Sequence, residues 1–256
     1  MRRIANFSQT YQVNRLFSSG SDGKDREFLI DFLLKDLNQL QLRSFLDFHT
    51  FTFHNYDEQK ARIINKRIKE VLPGTKCNLY NNMTLGNAIF SHLNFLLQNN
   101  ITDVLWIQDD EFSIESFQNL LDVYIFYKNN EEIKNLSLCY QYSDLKNVKT
   151  EAEVINNDIT LYKTSSLDFA NNNKYAMDFS AFICDIQILY NAFSNIDIST
   201  LDAYKLEGDF TGFIQNNNTP RYVLNKPLFK TYNVVGMVHS LGQADTNLKE
   251  LKSKYS

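Results

Sequence analysis

Asp103-Val104-Leu105-Trp106-Ile107-Gln108-Asp109-Asp110-Glu111-Phe112 is the stretch whose reading decides the fold of this chain. It begins as a short apolar run rich in β-branched and aromatic residues, which predicts a buried strand in a parallel sheet. It then stops on three consecutive acids. Carboxylates crowded at a strand terminus are costly unless something cationic neutralises them. Open α/β sheets bind their ligands outside the carboxyl ends of the strands. A hard divalent cation holding a phosphate-bearing ligand would satisfy both conditions. The plainer alternative is an acidic turn entering a helix, where carboxylates are favoured by the helix dipole.

Working outward, residues 4–10 read as a first strand, followed by a polar loop around Gly20 and Gly23. Residues 26–42 carry Phe28, Leu29, Phe32, Leu33, Leu37 and Leu40 at helical spacing. Residues 48–53 alternate as a strand that ends at His54-Asn55. Asp57 is placed to cap a helix running to about residue 72, where Pro73-Gly74 stops it. A short strand at 77–80 follows, then a helix over 85–97 capped by Thr84 and ended by Asn99-Asn100. The acid-tipped run is therefore the fourth strand. Ser113 or Ser116 starts the next helix, and 136–142 is a strand.

This β-α-β-α-β-α-β order implies parallel strands, right-handed crossovers and helices on both faces. The second half does not repeat the unit. Residues 142–174 read as polar and irregular apart from an alternating segment at 158–162. Residues 178–189 read as a strand running into a helix, 201–214 as a helix containing Glu207 and Asp209, and 222–224 and 232–235 as strands. A charged tail begins at Asp245. The expected organisation is a single α/β domain over residues 1–256. Residues 1–115 form a nucleotide-binding half, 116–245 a mixed half that holds something else, and 246–256 a tail.

Composition excludes several classes. A formal net charge of -4 argues against a nucleic-acid footprint, which needs a basic face. No apolar stretch approaches the roughly 20 residues that span a bilayer, and no secretory leader is expected. The three cysteines, Cys77, Cys139 and Cys184, are far apart and odd in number, and read as buried, reduced core residues. A cytoplasmic setting is the expectation. Gly is scarce, and neither a dinucleotide-binding glycine fingerprint nor a phosphate-binding loop with its lysine is present. No Cys/His zinc pattern and no nucleophile elbow occur. His49 and His92 read as structural.

The element order, the loop Thr10-Tyr11-Gln12-Val13-Asn14-Arg15 after the first strand, and Val104-Leu105-Trp106-Ile107-Gln108-Asp109-Asp110-Glu111 in the fourth resemble the GT-A-fold glycosyltransferases. The likeness is to the large inverting family of nucleotide-sugar transferases and covers roughly residues 1–115. It implies a GT-A-like, Rossmann-type, mostly parallel sheet and a mixed acceptor-binding half. It implies a nucleotide-diphosphate sugar donor, a saccharide or glycoconjugate acceptor, and manganese or magnesium as cofactor.

By the same resemblance Asp110 ligates the metal, and Asp109 faces the ribose or the metal shell. Gln108 stands where the family often has an acid, and Asp109-Asp110-Glu111 also fits an Asp-x-Glu pattern. Thr10, Tyr11 and Arg15 match the cradle for base and pyrophosphate, and Asn55 and Asp57 match the holders of base or ribose. Asn87, beside Gly86, matches a nucleotide-contacting helix start. In Leu206-Glu207-Gly208-Asp209-Phe210, Asp209 is the first choice of general base for the acceptor hydroxyl and Glu207 the second. His239 matches a further metal or pyrophosphate ligand. A sugar nucleotidyltransferase and a non-catalytic nucleotide-sugar-binding protein are the alternatives.

Overall fold

The computed structural model describes residues 2–11, 27–39, 46–54, 58–108, 111–146, 148, 150–171, 177, 179–217, 219–232 and 241–255, with backbone alone for 6–11, 27–28, 166, 170 and 241–245. The acid-tipped run is strand β4 (Asp103–Gln108), and it lies inside a nine-stranded sheet. Its residues point alternately into two apolar layers. Leu105 and Ile107 belong to one buried cluster, Val104 and Trp106 to the other. A strand covered on both faces has to be apolar at every position, which is why the run shows no polar alternation.

The chain builds β1 (Ile4–Tyr11), α1 (Glu27–Gln39), β2 (Phe48–His54), α2 (Glu58–Val71), β3 (Lys76–Tyr80) and α3 (Leu85–Gln98) before reaching β4. The order of these strands across the sheet is β3-β2-β1-β4, all parallel. The chain winds outward from β1 to β3, then returns to the other side of β1 for β4. The sheet therefore reverses its winding between β1 and β4.

Beyond β4 the sheet continues with β9 (Phe182–Asp185), β6 (Asn135–Gln141), β10 (Pro220–Leu224), β8 (Thr160–Ser165) and β7 (Ala152–Val154). β9 runs antiparallel to both β4 and β6, while β10 is parallel to β6. A separate two-stranded ribbon pairs β5 (Glu111–Ser113) with β11 (Phe229–Thr231).

Helices cover both faces. On one side α1, α2, α4 (Phe117–Asn129) and α8 (Leu241–Tyr255) contribute Leu33, Ile64, Val123 and Leu251. On the other, α3, α6 (Ile186–Asn195) and α7 (Ala203–Asn216) contribute Leu93, Leu189 and Phe210. Trp106 is fully buried and stacks on Phe179 and Phe182, each at 5.5 Å between ring centroids. Such pairs add about 0.5–1.5 kcal/mol beyond the area they bury.

Several sequence expectations shift. Glu111, Phe112 and Ser113 form a strand rather than a helix entry, and Ser116 is the N-cap of α4. The stretch expected to be irregular contains β7, β8 and the short helix α5 (Ser166–Asn171). A strand not expected there forms at Phe229–Thr231, and the one expected at 232–235 lies, apart from Tyr232, outside the described residues. The tail helix starts at Leu241, ahead of Asp245. Cys184 is buried and free as expected, but Cys77 and Cys139 are only half-buried, because β3 is an outer strand of the sheet and Cys139 lies in the less buried last part of β6.

Two buried polar groups explain how the β4 layer is held. Asp103 at the amino end of β4 pairs with Arg2 at 3.8 Å and accepts from Tyr127 at 2.8 Å. Burial pushes its carboxyl up from the usual range, opposed by the Thr102 and Tyr127 hydrogen bonds and by Arg2. His92 on α3 is fully buried and contacts Thr50, Asn78 and Tyr80. Asn78 and Tyr80 both bring donors to Nδ1, so Nε2 carries the proton toward Thr50.

Gly86, in the first turn of α3, is required by a close approach. A Cβ there would lie 2.7 Å from the Ile198 carbonyl oxygen and 2.9 Å from its Cα. Gly86→Ala is therefore expected to destabilise by about 1–3 kcal/mol, whereas Gly208→Ala, with nothing within 4 Å, should stabilise α7 by up to about 1 kcal/mol. Denaturant unfolding of the two variants checks the contrast. Burial also pushes the His92 imidazole down to about 3. The unfolded chain then takes up a proton that the folded one refuses. This contribution to stability should be complete above about pH 7 and fall between about pH 6.5 and 3, by up to about 1.4 kcal/mol per unit. Unfolding free energies of wild type and His92→Gln across that window should converge if the assignment holds.

Candidate active site

Three carboxylates follow β4, but they do not share one role. Glu111 is 1% exposed, and both of its oxygens are committed to backbone. Oε2 accepts from the Gln108 amide at 2.7 Å, which closes the turn 108–111 onto itself. Oε1 accepts from the Ala181 amide at 2.7 Å, just before β9. Charge-assisted bonds of this kind are about twice as strong as neutral ones. Glu111 acts as a brace between the end of β4 and the segment before β9. Asp109 and Asp110 themselves lie outside the described residues.

The turn is supported from below by the ribbon and the last helix. Thr231 is the register partner of Glu111, and Phe229 of Ser113. Asp36 on α1 is fully buried, and accepts from the Ser113 amide at 2.8 Å and the Ser113 hydroxyl at 2.6 Å. The Tyr255 hydroxyl donates to the same carboxylate, and Lys254 lies 3.5 Å from it. Burial, together with the Asp36 charge, pushes the Tyr255 phenol strongly up. Lys230 and Tyr232 both reach Glu250 on α8, at 3.0 and 2.8 Å. Residues 233–240, with His239, connect two elements anchored in this way, and lie outside the described residues.

The carboxyl ends of β1 and β2 meet the same rim. Gln9 pairs with Gln108 and Tyr11 with His54 in the parallel register. Thr10 and Tyr11 are thus placed beside the acidic turn by their backbone. Their side chains, and Arg15, Asn55 and Asp57, lie outside the described residues. His54 is nearly buried, with Nε2 2.8 Å from the Met83 carbonyl oxygen, and desolvation pushes its imidazole down. It ties the end of β2 to the loop before α3. Asn87 turns its amide nitrogen to the Thr84 cap at 2.8 Å, and Thr84 donates to the Ile198 carbonyl. The close approach that Gly86 allows is therefore to the Ile198 backbone.

Glu207 and Asp209 part company on α7. Glu207 Oε1 accepts from the Phe179 amide at 3.1 Å. It thus holds the same short segment, 179–181, that Glu111 holds. Asp209 is on the exposed side, 2.7 Å from Lys205, which also reaches Asp197 at 3.7 Å. Glu207 thus bonds the segment that Glu111 also holds, and Asp209 pairs with Lys205. Among the described residues no group of three or more His, Cys, Asp or Glu side chains is set to hold a metal, and Asp109, Asp110 and His239 are not among them.

The fold, an α/β sheet with helices on both faces, is similar to that of several solved structures. A solved structure of S. aureus TarS is 14% identical with a TM-score of 0.57, matching 99% of this chain and 43% of that one. Apo UDP-glucose pyrophosphorylase is 10% identical with a TM-score of 0.52, over 99% of this chain and all (100%) of that one. 4-Diphosphocytidyl-2C-methyl-D-erythritol synthase from Anaerococcus prevotii DSM 20548 is 12% identical with a TM-score of 0.50, over 98% and 99% of the two chains. No family model matches the chain, and no curated protein matches it by sequence. Among the described residues no helix is long and apolar enough to cross a membrane.

Asp36 was not singled out by sequence reasoning, and Glu111 was read only as a member of the acidic cluster, not as a brace. Asp36 carried a signal, since it falls on the apolar stripe of α1 between Leu33 and Leu37, where a charge needs partners. Glu111→Gln should leave one of the Gln108 and Ala181 amides facing an amide nitrogen. The expected loss is about 1–3 kcal/mol of unfolding free energy. Asp209→Asn, whose partner Lys205 is exposed, should leave the melting temperature unchanged within error. A melting curve for Glu111→Gln that overlays wild type would remove Glu111 from its bracing role.

Proposed function

We propose that this protein is a metal-dependent glycosyltransferase that moves a sugar from a nucleotide-diphosphate sugar to an acceptor hydroxyl with inversion. The observation that carries the reading is the acidic turn at the carboxyl end of β4, where the sheet reverses its winding between β1 and β4. Ligands of open α/β sheets bind at that reversal. With Glu111 withdrawn into backbone hydrogen bonds, Asp109 and Asp110 are the acids available to a cation.

In this reading Asp110 and His239 hold manganese or magnesium, and Asp109 faces the ribose or the metal shell. Thr10, Tyr11, Arg15, Asn55, Asp57 and Asn87 line the nucleotide. The cation, when bound, offsets the charge that gathers on the leaving diphosphate. A carboxylate on α7 takes the proton of the acceptor hydroxyl as its oxygen attacks the anomeric carbon. The bond from that carbon to the diphosphate oxygen breaks, and the diphosphate leaves with the electron pair. Glu207 is placed ahead of Asp209 for this role, because its carboxylate meets the 179–181 segment, while Asp209 is paired at the surface.

A second reading is a sugar nucleotidyltransferase. It draws support from the end-to-end match in length with UDP-glucose pyrophosphorylase. It would join a nucleoside triphosphate to a sugar phosphate and release pyrophosphate. Pyrophosphate release from such a pair, with no transfer from a preformed nucleotide sugar, selects it. Binding of the sugar nucleotide without turnover selects a non-catalytic module.

The test is a thermal-shift panel of nucleoside diphosphates and their sugars, with and without manganese. A ligand at a hundred times its dissociation constant adds about 2.7 kcal/mol to native stability. Asp110→Ala should abolish the manganese-dependent shift, and His239→Ala should reduce it less. Glu207→Gln should lower turnover by about 10²–10⁴-fold while the shift persists. An Asp110→Ala protein with an unaltered manganese-dependent shift would sink the metal assignment.

A further inference from the structure

We propose that the exposed face of α2 is a docking surface for an anionic lipid bilayer. The chain as a whole carries -4, yet α2 alone holds Lys60, Arg62, Lys66, Arg67 and Lys69. Its two acids, Glu58 and Glu70, stand near its ends. Ala61, Ile64 and Ile68 are buried against the sheet, so the helix is fixed in phase. Arg62, Lys66 and Lys69, at i, i+4 and i+7, then form one exposed stripe. Arg67 is committed to Asp31 on α1 at 2.9 Å, while the Arg62–Glu58 contact is 3.9 Å and fully solvated.

Beside the stripe stands Ile63, 57% exposed. A shallow cleft runs along this face, lined by Gln59, Arg62, Ile63, Lys66, Arg67 and Glu70. A row of cations with an apolar side chain among them suits the interface of an anionic membrane. The cations meet lipid phosphates, and the isoleucine enters the boundary between headgroups and acyl chains. A dissolved polyanion would use the cations and leave Ile63 in water. The helix also has a favourable place in the fold. α2 follows the carboxyl end of β2, so its first turns, with Arg62 and Ile63, lie at the same end of the sheet as the acidic turn. A chain resting on this face would hold that rim near the bilayer, within reach of a substrate whose reactive group is carried on a lipid.

The experiment is sedimentation of the full chain with vesicles of phosphatidylcholine alone and of phosphatidylcholine with phosphatidylglycerol. The surface acts independently of the proposed transfer chemistry, so the two can fail separately. Binding is expected only to the anionic vesicles at about 0.1 M salt, and should be lost near 1 M, where screening acts within about 3 Å. Each cation near such a surface contributes roughly fivefold. The Arg62→Gln/Lys66→Gln/Lys69→Gln variant should therefore bind about a hundredfold more weakly. Ile63→Asn should weaken binding with the same salt dependence, and both variants should melt like wild type because all four side chains are exposed. Absence of binding to anionic vesicles, or an unchanged affinity in the triple variant, overturns the proposal. So does retention on heparin or RNA that Ile63→Asn leaves intact while vesicles are not bound.

Discussion

The rest of the site depends on one carboxylate with two backbone partners. Glu111 accepts from Gln108 at the end of β4 and from Ala181 at the start of β9. The first bond ties the end of β4 to the start of β5. The second fastens that junction to the neighbouring antiparallel strand. Glu111 also begins β5, whose pairing with β11 brings the chain back to the rim before it leaves for residues 233–240. Loss of either bond would leave a buried amide without its acceptor, which costs more than the bond contributes.

Acids elsewhere in the molecule follow the same rule. Asp103, at the other end of β4, is neutralised by Arg2 and hydrogen-bonded by Tyr127. Asp36 is surrounded by Ser113, Tyr255 and Lys254. Each joins elements distant in sequence, since buried charge is tolerated only where several donors converge. Asp36 links α1, β5 and the last turn of α8, and thereby supports the acidic turn from beneath. A strand with acids at both ends thus has one end sealed by a cation of its own chain. Its other end is braced by Glu111.

The parallel half of the fold was legible because its signals are local. The unbroken apolar run of β4, the Thr84 cap and the Pro73-Gly74 stop each report a structure set within a few residues. The sheet beyond β4 was less legible. β9 inserts between β4 and β6 although it comes later in the chain, and β5 is three residues long. Such strands owe their existence to partners distant in sequence, as β9 does to β4 and Glu111 does to Thr231. No window of sequence contains that information. The role of Glu111 was hidden for the same reason: three adjacent acids look equivalent until the Ala181 amide is in place.

The choice between Glu207 and Asp209 shows where a finer reading was within reach. Leu206, Phe210, Thr211 and Ile214 are the buried positions of α7. At 100° per residue Glu207 falls inside the arc they span, and Asp209 falls well outside it. Helical phase alone turns Glu207 inward and leaves Asp209 to the surface, where Lys205 lies one turn away. Phase cannot say what the inward carboxylate meets. That depends on β9 running antiparallel beside β4, which carries Phe179 and Ala181 to the carboxyl end of the sheet. Glu207 of α7 and Glu111 after β4 then hold one short segment. The two halves of the chain are joined there by hydrogen bonds to the same three residues, and a group between them would face both halves at once.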